Sequence, residues 1–360
     1  MKHLYLLLLI LPTFSAFSQQ KLQKKALKFV QMETDFEKTP GVSVGLINGD
    51  SVITFGIGET KKNNNLTPNI HTIFEIGSCT KVFTASLIAI LKEENRLNYE
   101  DNISLYLDKL NFKDKDITIL DLLTHHSGLT RFPSYFTDNE TNNSNPYQTY
   151  SYLLLAKYLK NTTPTPRKER IYTYSHTNYV LLTLIIEKIT KQRFEQVLKE
   201  KLLSPLGMND TKIILAETDK NRLAQGYNLM DQPTSVWETE VFRGAIALKS
   251  TVNDLLKFLN YQLKEGKEPL RKVMQSMHQN KTKTPIKKVK AGLAWHHIQP
   301  KKRYFSFIAH SGATDGHQVY ICFLKETQTA VVLMANSKHD LNGLGSYLLK
   351  MMNNNWKRKK

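Results

Sequence analysis

The chain has 360 residues, with 50 Lys and Arg against 32 Asp and Glu, a formal net charge of +18 and two cysteines. That length supports one large domain or two modest ones with substantial cores, and two cysteines are too few for a disulfide framework. The excess charge is scattered, clustering only at 281–290, 301–303 and 356–360, and no aromatic-interleaved basic motif accompanies it. A nucleic-acid partner is therefore not expected, and attraction to anionic cell-wall or membrane material is the partner the charge suggests.

In chain order, Met1-Lys2-His3, a short apolar run from Leu4 to Pro12, and small residues Ala16 and Ser18 ahead of Gln19 describe a secretory signal peptide over 1–18. Its apolar core is too short to span a bilayer. The mature chain, 19–360, is expected to be exported, periplasmic or secreted, and monomeric. Residues 20–37 pattern as an amphipathic helix. Apolar runs at 41–47 and 51–56 flank Asn48-Gly49-Asp50, a hairpin signal. The polar, Asn-rich stretch 61–71 reads as a loop.

Phe74-Glu75-Ile76-Gly77 then leads into Ser78-Cys79-Thr80-Lys81, and apolar residues recur every three or four positions up to Leu91. This is a helix whose first turn carries Ser78 and Lys81 on one face. A serine hydroxyl becomes a nucleophile when a base takes its proton, and an amine held neutral one turn away can be that base. Free N–H groups at the helix start stabilise negative charge. Ser-x-x-Lys is a weak pattern by itself: it recurs at Ser18-Gln19-Gln20-Lys21, and Ser78 alone reads as an ordinary helix cap.

Downstream, 119–123 is a short helix before Thr124-His125-His126-Ser127-Gly128, and 131–150 is a long aromatic loop of the kind that borders a binding site. Helices are expected at 152–160, 177–190, 194–203 and 251–262, then a charged connection over 279–290. Strands follow at 291–298, 304–310, 317–324 and 329–335, and a helix over 342–356 closes the chain. The expected fold is one α/β domain of the α+β type. An antiparallel sheet from about 19–75 and 285–360, flanked by helices, has a mostly helical region of about 76–284 inserted into it. The pairs His125-His126 and His296-His297 lack a third ligand at metal spacing, so neither a metal nor another cofactor is expected. Gly41-Val42-Ser43-Val44-Gly45 fits the nucleophile elbow of α/β-hydrolases, but the apolar run continues through Leu46-Ile47, which puts Ser43 inside a strand.

Ser78-Cys79-Thr80-Lys81, Tyr174-Ser175-His176 and His310-Ser311-Gly312 occur in this order together with Leu122–Leu129 and Ala247–Leu255. Over nearly all of the mature chain this set resembles the class C beta-lactamase-like serine hydrolases, which include D-alanyl-D-alanine peptidases and related esterases. The resemblance implies a beta-lactamase/transpeptidase-like fold and hydrolysis of a small-molecule or peptide ester or amide through an acyl-Ser78 intermediate. It makes Ser78 the nucleophile, Lys81 its proton partner and Tyr174 the proton carrier to the leaving group. The N–H groups of Ser78 and Ala313 form the implied oxyanion hole, and His176, His310, Ser311 and Gly312 the implied substrate contacts. A phenol beside an ammonium is expected to ionise near neutrality, and His310 to be partly charged near pH 7.

Two departures stand out. His176 replaces the Asn of the family's Tyr-x-Asn, and His310-Ser311-Gly312 replaces Lys-Thr-Gly. They point to peptidase or esterase activity ahead of beta-lactamase. They also leave an alternative, a slow-turnover penicillin binder or a non-catalytic peptide-binding member.

Overall fold

The fold is described from a computed structural model, for residues 11–35, 38–107, 116–134, 136, 145–279, 281–299 and 305–353. It begins with α1 (Leu11–Glu33), β1 (Gly41–Asn48) and β2 (Ser51–Gly58), then β3 (Phe74–Glu75), a 3-10 turn at Gly77–Cys79 and α2 (Thr80–Glu93). Next come α3 (Ile119–Leu123), α4 (Tyr152–Asn161), α5 (His176–Thr190) and α6 (Phe194–Leu198), the last running on as a π turn, Lys199–Leu203. Then follow α7 (Glu217–Lys220), α8 (Arg243–Ile246), β4 (Lys249–Ser250), α9 (Val252–Leu263) and α10 (Pro269–Ser276). The chain ends in β5 (Thr282–Lys283), β6 (Val289–Ala291), β7 (His296–Ile298), β8 (Phe307–Ala313), β9 (Gln318–Leu324), β10 (Thr329–Ala335) and α11 (Asn342–Met352).

The sheet is antiparallel, in the order β2-β1-β10-β9-β8-β7-β6-β5. The N-terminal hairpin joins the C-terminal strands through β1 and β10, where Val42 pairs with Ala335 and Asn48 with Thr329. Both faces of the central strands are covered, which is why β1 and β10 read as continuous apolar runs rather than alternating ones. Val42, Val44, Leu46, Val331 and Leu333 pack with Leu348 and Leu349 of α11 and Ala26 and Val30 of α1. The opposite face, through Val332, Met334 and Ile321, packs on the helical region. There Gly45 lets α9 approach so closely that an added Cβ would stand 2.6 Å from Val252. Among the helices, α2 is buried from Thr80 to Leu91 and forms the axis of the helical region.

Several expected boundaries moved. The strand expected over 291–298 is two short strands, because Trp295 leaves the sheet and packs, fully buried, against Phe258 and Phe323. The chain turns there, with Ala294 at φ +64°. The supposed connection at 279–290 supplies β5 and the start of β6, so the sheet begins at Thr282. The strand expected over 304–310 runs from Phe307 to Ala313, and the last helix stops at Met352. The first helix starts at Leu11, inside the expected leader, and ends at Glu33. Residues 1–10 of that leader, 301–304, the tail 354–360 and most of the 135–144 segment lie outside the described residues. No described helix is long and apolar enough to cross a membrane. Ser43 is fully buried in β1 and donates to the Asn69 carbonyl at 3.1 Å, so the elbow motif has no elbow.

Candidate active site

Ser78 sits on the 3-10 turn between β3 and α2, where the sheet meets the helical region. Two glycines let main chain lie on main chain there. Gly77 has φ +46°, and a Cβ on it would lie 2.4 Å from the Ala313 carbonyl oxygen. A Cβ on Gly312 would lie 1.9 Å from the Ile76 carbonyl oxygen. No other residue fits either position without moving the backbone. The end of β8 and the serine turn are thereby held together, which places the Ser78 and Ala313 main chains side by side. Ser78 is partly exposed and Ala313 exposed, so both remain accessible.

Lys81, one turn on, is fully buried. Its Nζ is 3.3 Å from Ser78 Oγ, 2.9 Å from the Ala245 carbonyl it donates to, and 3.4 Å from His176 Nδ1. Burial above all, with the Arg131 charge adding to it, pushes the Lys81 ammonium well below its usual range. This amine thus gives up its proton more readily than an exposed lysine does, before any substrate arrives.

Tyr174 stands on the other side of Ser78, its ring centre 5.1 Å from Lys81 Nζ. Burial pushes its hydroxyl up, against an opposing interaction with Ser78. The expected phenolate–ammonium pair is therefore corrected: burial works against both charged forms, lowering the proton affinity of the amine and raising that of the phenol.

A loop bolted to the start of α5 positions Tyr174 and His176. Ser175 caps the helix by accepting from the Asn178 amide and donates to the Thr130 carbonyl at 2.8 Å. The His176 amide donates to the Arg131 carbonyl at 2.8 Å, and the Ser175 amide to His125 Nδ1 at 3.0 Å. His125 holds a left-handed conformation, φ +63°, uncommon for a non-glycine residue, to present that nitrogen. The His176 ring is stacked on Phe132 at 4.7 Å. Phe136, Tyr147 and Trp237 extend this aromatic wall, with Phe136 4.6 Å from Phe132 and Trp237 4.7 Å from Tyr147.

On the strand side, His310 is 2% exposed, and its Nδ1 pairs with the Ser311 carbonyl at 2.7 Å. Burial, then the neighbouring His296 and Lys81, push its ring well below the usual histidine range. The expected partly charged imidazole is corrected to a neutral one: its surroundings leave no water to solvate a cation. Ser311 is partly exposed, while Gly312 is buried against the serine turn. Cys79 and Cys322 are both buried and unpaired, with Cys79 Sγ directed at the His310 carbonyl.

Beneath this wall lies a buried clamp. Glu75, 2% exposed, accepts from the Trp237 amide at 2.6 Å, from the Thr314 hydroxyl at 3.0 Å and from His317 Nδ1 at 3.0 Å. His317 Nε2 faces the Ala224 carbonyl at 3.1 Å. Burial opposes the charge on Glu75, yet the His317 bond and charge, with Trp237 and Lys249, hold its carboxyl below the usual range. The clamp ties the segment before Ser78 to the turn after Ala313.

The family model for beta-lactamase matches residues 29–346. The chain belongs to the beta-lactamase family. It is 25% identical to a beta-lactamase of Providencia stuartii, over 90% of this chain and 91% of that one. It is 27% identical to an unguisins hydrolase of Aspergillus campestris, over 92% of this chain and 65% of that protein. Against the protein flp of Staphylococcus aureus identity is 28%, over 89% of this chain and 63% of the relative. The fold matches a class C beta-lactamase with a TM-score of 0.82 at 20% identity, covering 95% of this chain and 98% of that one. A beta-lactamase/D-alanine carboxypeptidase from Pseudomonas syringae superposes with a TM-score of 0.80, over 94% and 99%.

Within this beta-lactamase-family frame, Ser78, Lys81, Tyr174 and His176 converge, and Ser311, Gly312 and Ala313 edge the site from β8. His310, on the same face of β8 as Ile308, is buried toward the helical region with its ring 5.3 Å from that of His296. No sequence motif marks Arg131, Phe132 or Glu75, and His125 stands out only as half of a His-His pair without a third metal ligand. The repeated His-His and the Glu75 three residues before Ser78 were visible, but nothing local reveals which side chains meet across 50 to 240 positions. Among the described residues, no three His, Cys, Asp or Glu side chains converge as metal ligands.

Proposed function

We propose that this protein is an exported serine hydrolase that cleaves an ester or amide through an acyl-Ser78 intermediate. The observation that carries the reading is Lys81 Nζ at 3.3 Å from Ser78 Oγ in a fully buried setting that favours the neutral amine. Such an amine can take the Ser78 proton as the oxygen attacks a carbonyl. The protonated phenol of Tyr174 then has a proton to give the leaving group, and Lys81 can return one to Tyr174. The N–H groups of Ser78 and Ala313 receive the oxyanion, where fixed backbone dipoles are most effective. Water repeats the sequence on the acyl-enzyme and releases the acid. Export rests on the leader-like residues 1–18.

Peptidase or esterase activity is favoured over efficient beta-lactam hydrolysis, because a neutral His310 supplies no cation on β8 for the carboxylate of a beta-lactam. Labelling with a fluorophosphonate and a fluorescent penicillin, followed by peptide mapping, tests the reading. The adduct is expected on Ser78 and absent from Ser78→Ala. An adduct on Ser43, or a fully active Ser78→Ala, sinks the assignment. A burst followed by negligible turnover identifies a slow binder instead.

A further inference from the structure

Resting on the acyl-Ser78 reading, the charge around the site points to a substrate class. Lys81 is buried, donates to Ala245 and is pushed toward the neutral form, while burial keeps His125, His176, His296 and His310 neutral. Arg131 is different. It is exposed, and its guanidinium is a planar cation that presents a fork of N–H donors. Its Cζ lies 5.4 Å from the Tyr174 ring centre and 5.5 Å from that of Phe132. The ring of Tyr174 thus has Lys81 5.1 Å away and Arg131 5.4 Å away.

Among the described residues no carboxylate forms an ion pair with Arg131. None of the groups that chiefly set the protonation of Lys81, Tyr174, His176 or His310 is a carboxylate either. A fixed cation beside the reacting groups, unpaired with any acid among the described residues, draws anions into the site. The backbone of the same residue is anchored, since its carbonyl accepts from the His176 amide at 2.8 Å. The side chain is therefore presented from a fixed base. Stacking on two aromatic faces limits its freedom further and leaves the N–H edge of the fork for a ligand.

We propose that Arg131 is the substrate-recognising cation of this enzyme, pairing with a carboxylate on the ester or amide it hydrolyses. It acts from the helical wall, in place of a cation on the β8 wall. The preferred substrates are anionic, and the residue that selects them lies against Tyr174 and Phe132 rather than on β8.

The test uses two matched pairs of chromogenic esters, each pair one carboxylate-bearing ester and its methyl ester. One pair carries the group on the acyl side and the other on the leaving-group side. In the wild type, kcat/KM for at least one anionic ester is expected to exceed that of its neutral partner by roughly tenfold or more, chiefly through KM, as for a charge-assisted hydrogen bond. Arg131→Gln should bring that ratio close to one, and Arg131→Lys should restore part of it. Rising salt should erode the wild-type ratio, since the pair is exposed. Equal kcat/KM within both pairs in the wild type, or a ratio unchanged in Arg131→Gln, overturns the proposal. Fluorophosphonate labelling of Ser78 in each protein separates this from failure of the acyl-serine reading: labelled protein without charge preference rejects only the role of Arg131.

Discussion

Along the sheet side of the site, main chain lies on main chain. Gly312 and Gly77 carry β8 and the serine turn so close that a single methyl group would reach 1.9 and 2.4 Å from the facing backbone oxygens. Along the helix side, side chains do the positioning: His125 accepts from the Ser175 amide, Ser175 holds Thr130, and Phe132 covers His176. A backbone wall is set by steric fit and accepts few residues. A side-chain wall is set by hydrogen bonds and ring stacking, which other residues can imitate. The two family departures at these walls follow that division. His310 changes a side chain on β8, whose backbone is what meets the serine turn, and His176 changes a side chain that faces Lys81.

The largest effects are expected where the walls meet. Lys81→Met and Tyr174→Phe should each lower kcat by roughly 10²- to 10⁴-fold, the range for positioned proton carriers. The double variant should lose far less than the product of the two, because they move one proton in relay. Wild-type turnover in Tyr174→Phe would remove it from the relay.

Gly312→Ala addresses the backbone wall alone. Its methyl group must displace the Ile76 carbonyl or β8, and with it the Ser78 and Ala313 amides. A loss of roughly 10²- to 10³-fold in kcat is expected, as when an oxyanion donor is removed. A circular dichroism spectrum like the wild type's would show that the fold persists. Undiminished turnover would mean that the contact between the two backbones does not set the oxyanion geometry.

Acid should act most through the buried histidines, of which His125 and His176 build the side-chain wall. Burial holds His125, His176, His278, His296, His297 and His310 below the usual histidine range, the two at 296 and 297 at about 4. Each is neutral when folded and binds a proton when unfolded below about pH 6.5, so the unfolded state gains protons first. Stability is then fully present above that pH and falls as pH is lowered through it. Each ring contributes up to about 1.4 kcal/mol per pH unit. Thermal melts from pH 7.5 to 5.0 should show a steep fall in Tm, shallower in His310→Gln. A flat Tm over that range would place these rings in water.

The smallest effect is expected from His176→Asn. The amide can present an oxygen to Lys81 where Nδ1 now lies, so kcat should change by less than about tenfold. Losing the stack on Phe132 should lower Tm by roughly 1–4 °C. A collapse of activity would show that the imidazole itself takes part in proton transfer.

The backbone wall was the more legible of the two in the sequence. Gly77 before Ser78 and Gly312 after Ser311 mark close approaches, and the hairpin and β10 are legible nearly at their true limits, because the Asn48-Gly49 turn fixes the first and polar residues flank the apolar run of the second. The split at β6 and β7 was hidden, since Trp295 reads like a strand residue until Phe258 and Phe323 are seen around it. The protonation states were not legible either. A Lys, a Tyr and a His have ordinary charges in a sequence, and here only enclosure by distant segments changes them. Arg131 was passed over because it falls in a stretch without periodicity.

The pairing of β1 with β10 has a consequence for how the molecule is made. Val42 meets Ala335 across 293 positions of chain. During synthesis, the hairpin Gly41–Gly58 emerges early and then waits with one edge open until nearly the whole polypeptide has followed. Loop closure over that span is slow, and an open apolar edge is prone to pair with other chains. The central sheet therefore forms last, and only when synthesis is nearly finished. A chain cut short anywhere before Thr329 lacks the strand that unites its two ends, however completely its helices have collapsed.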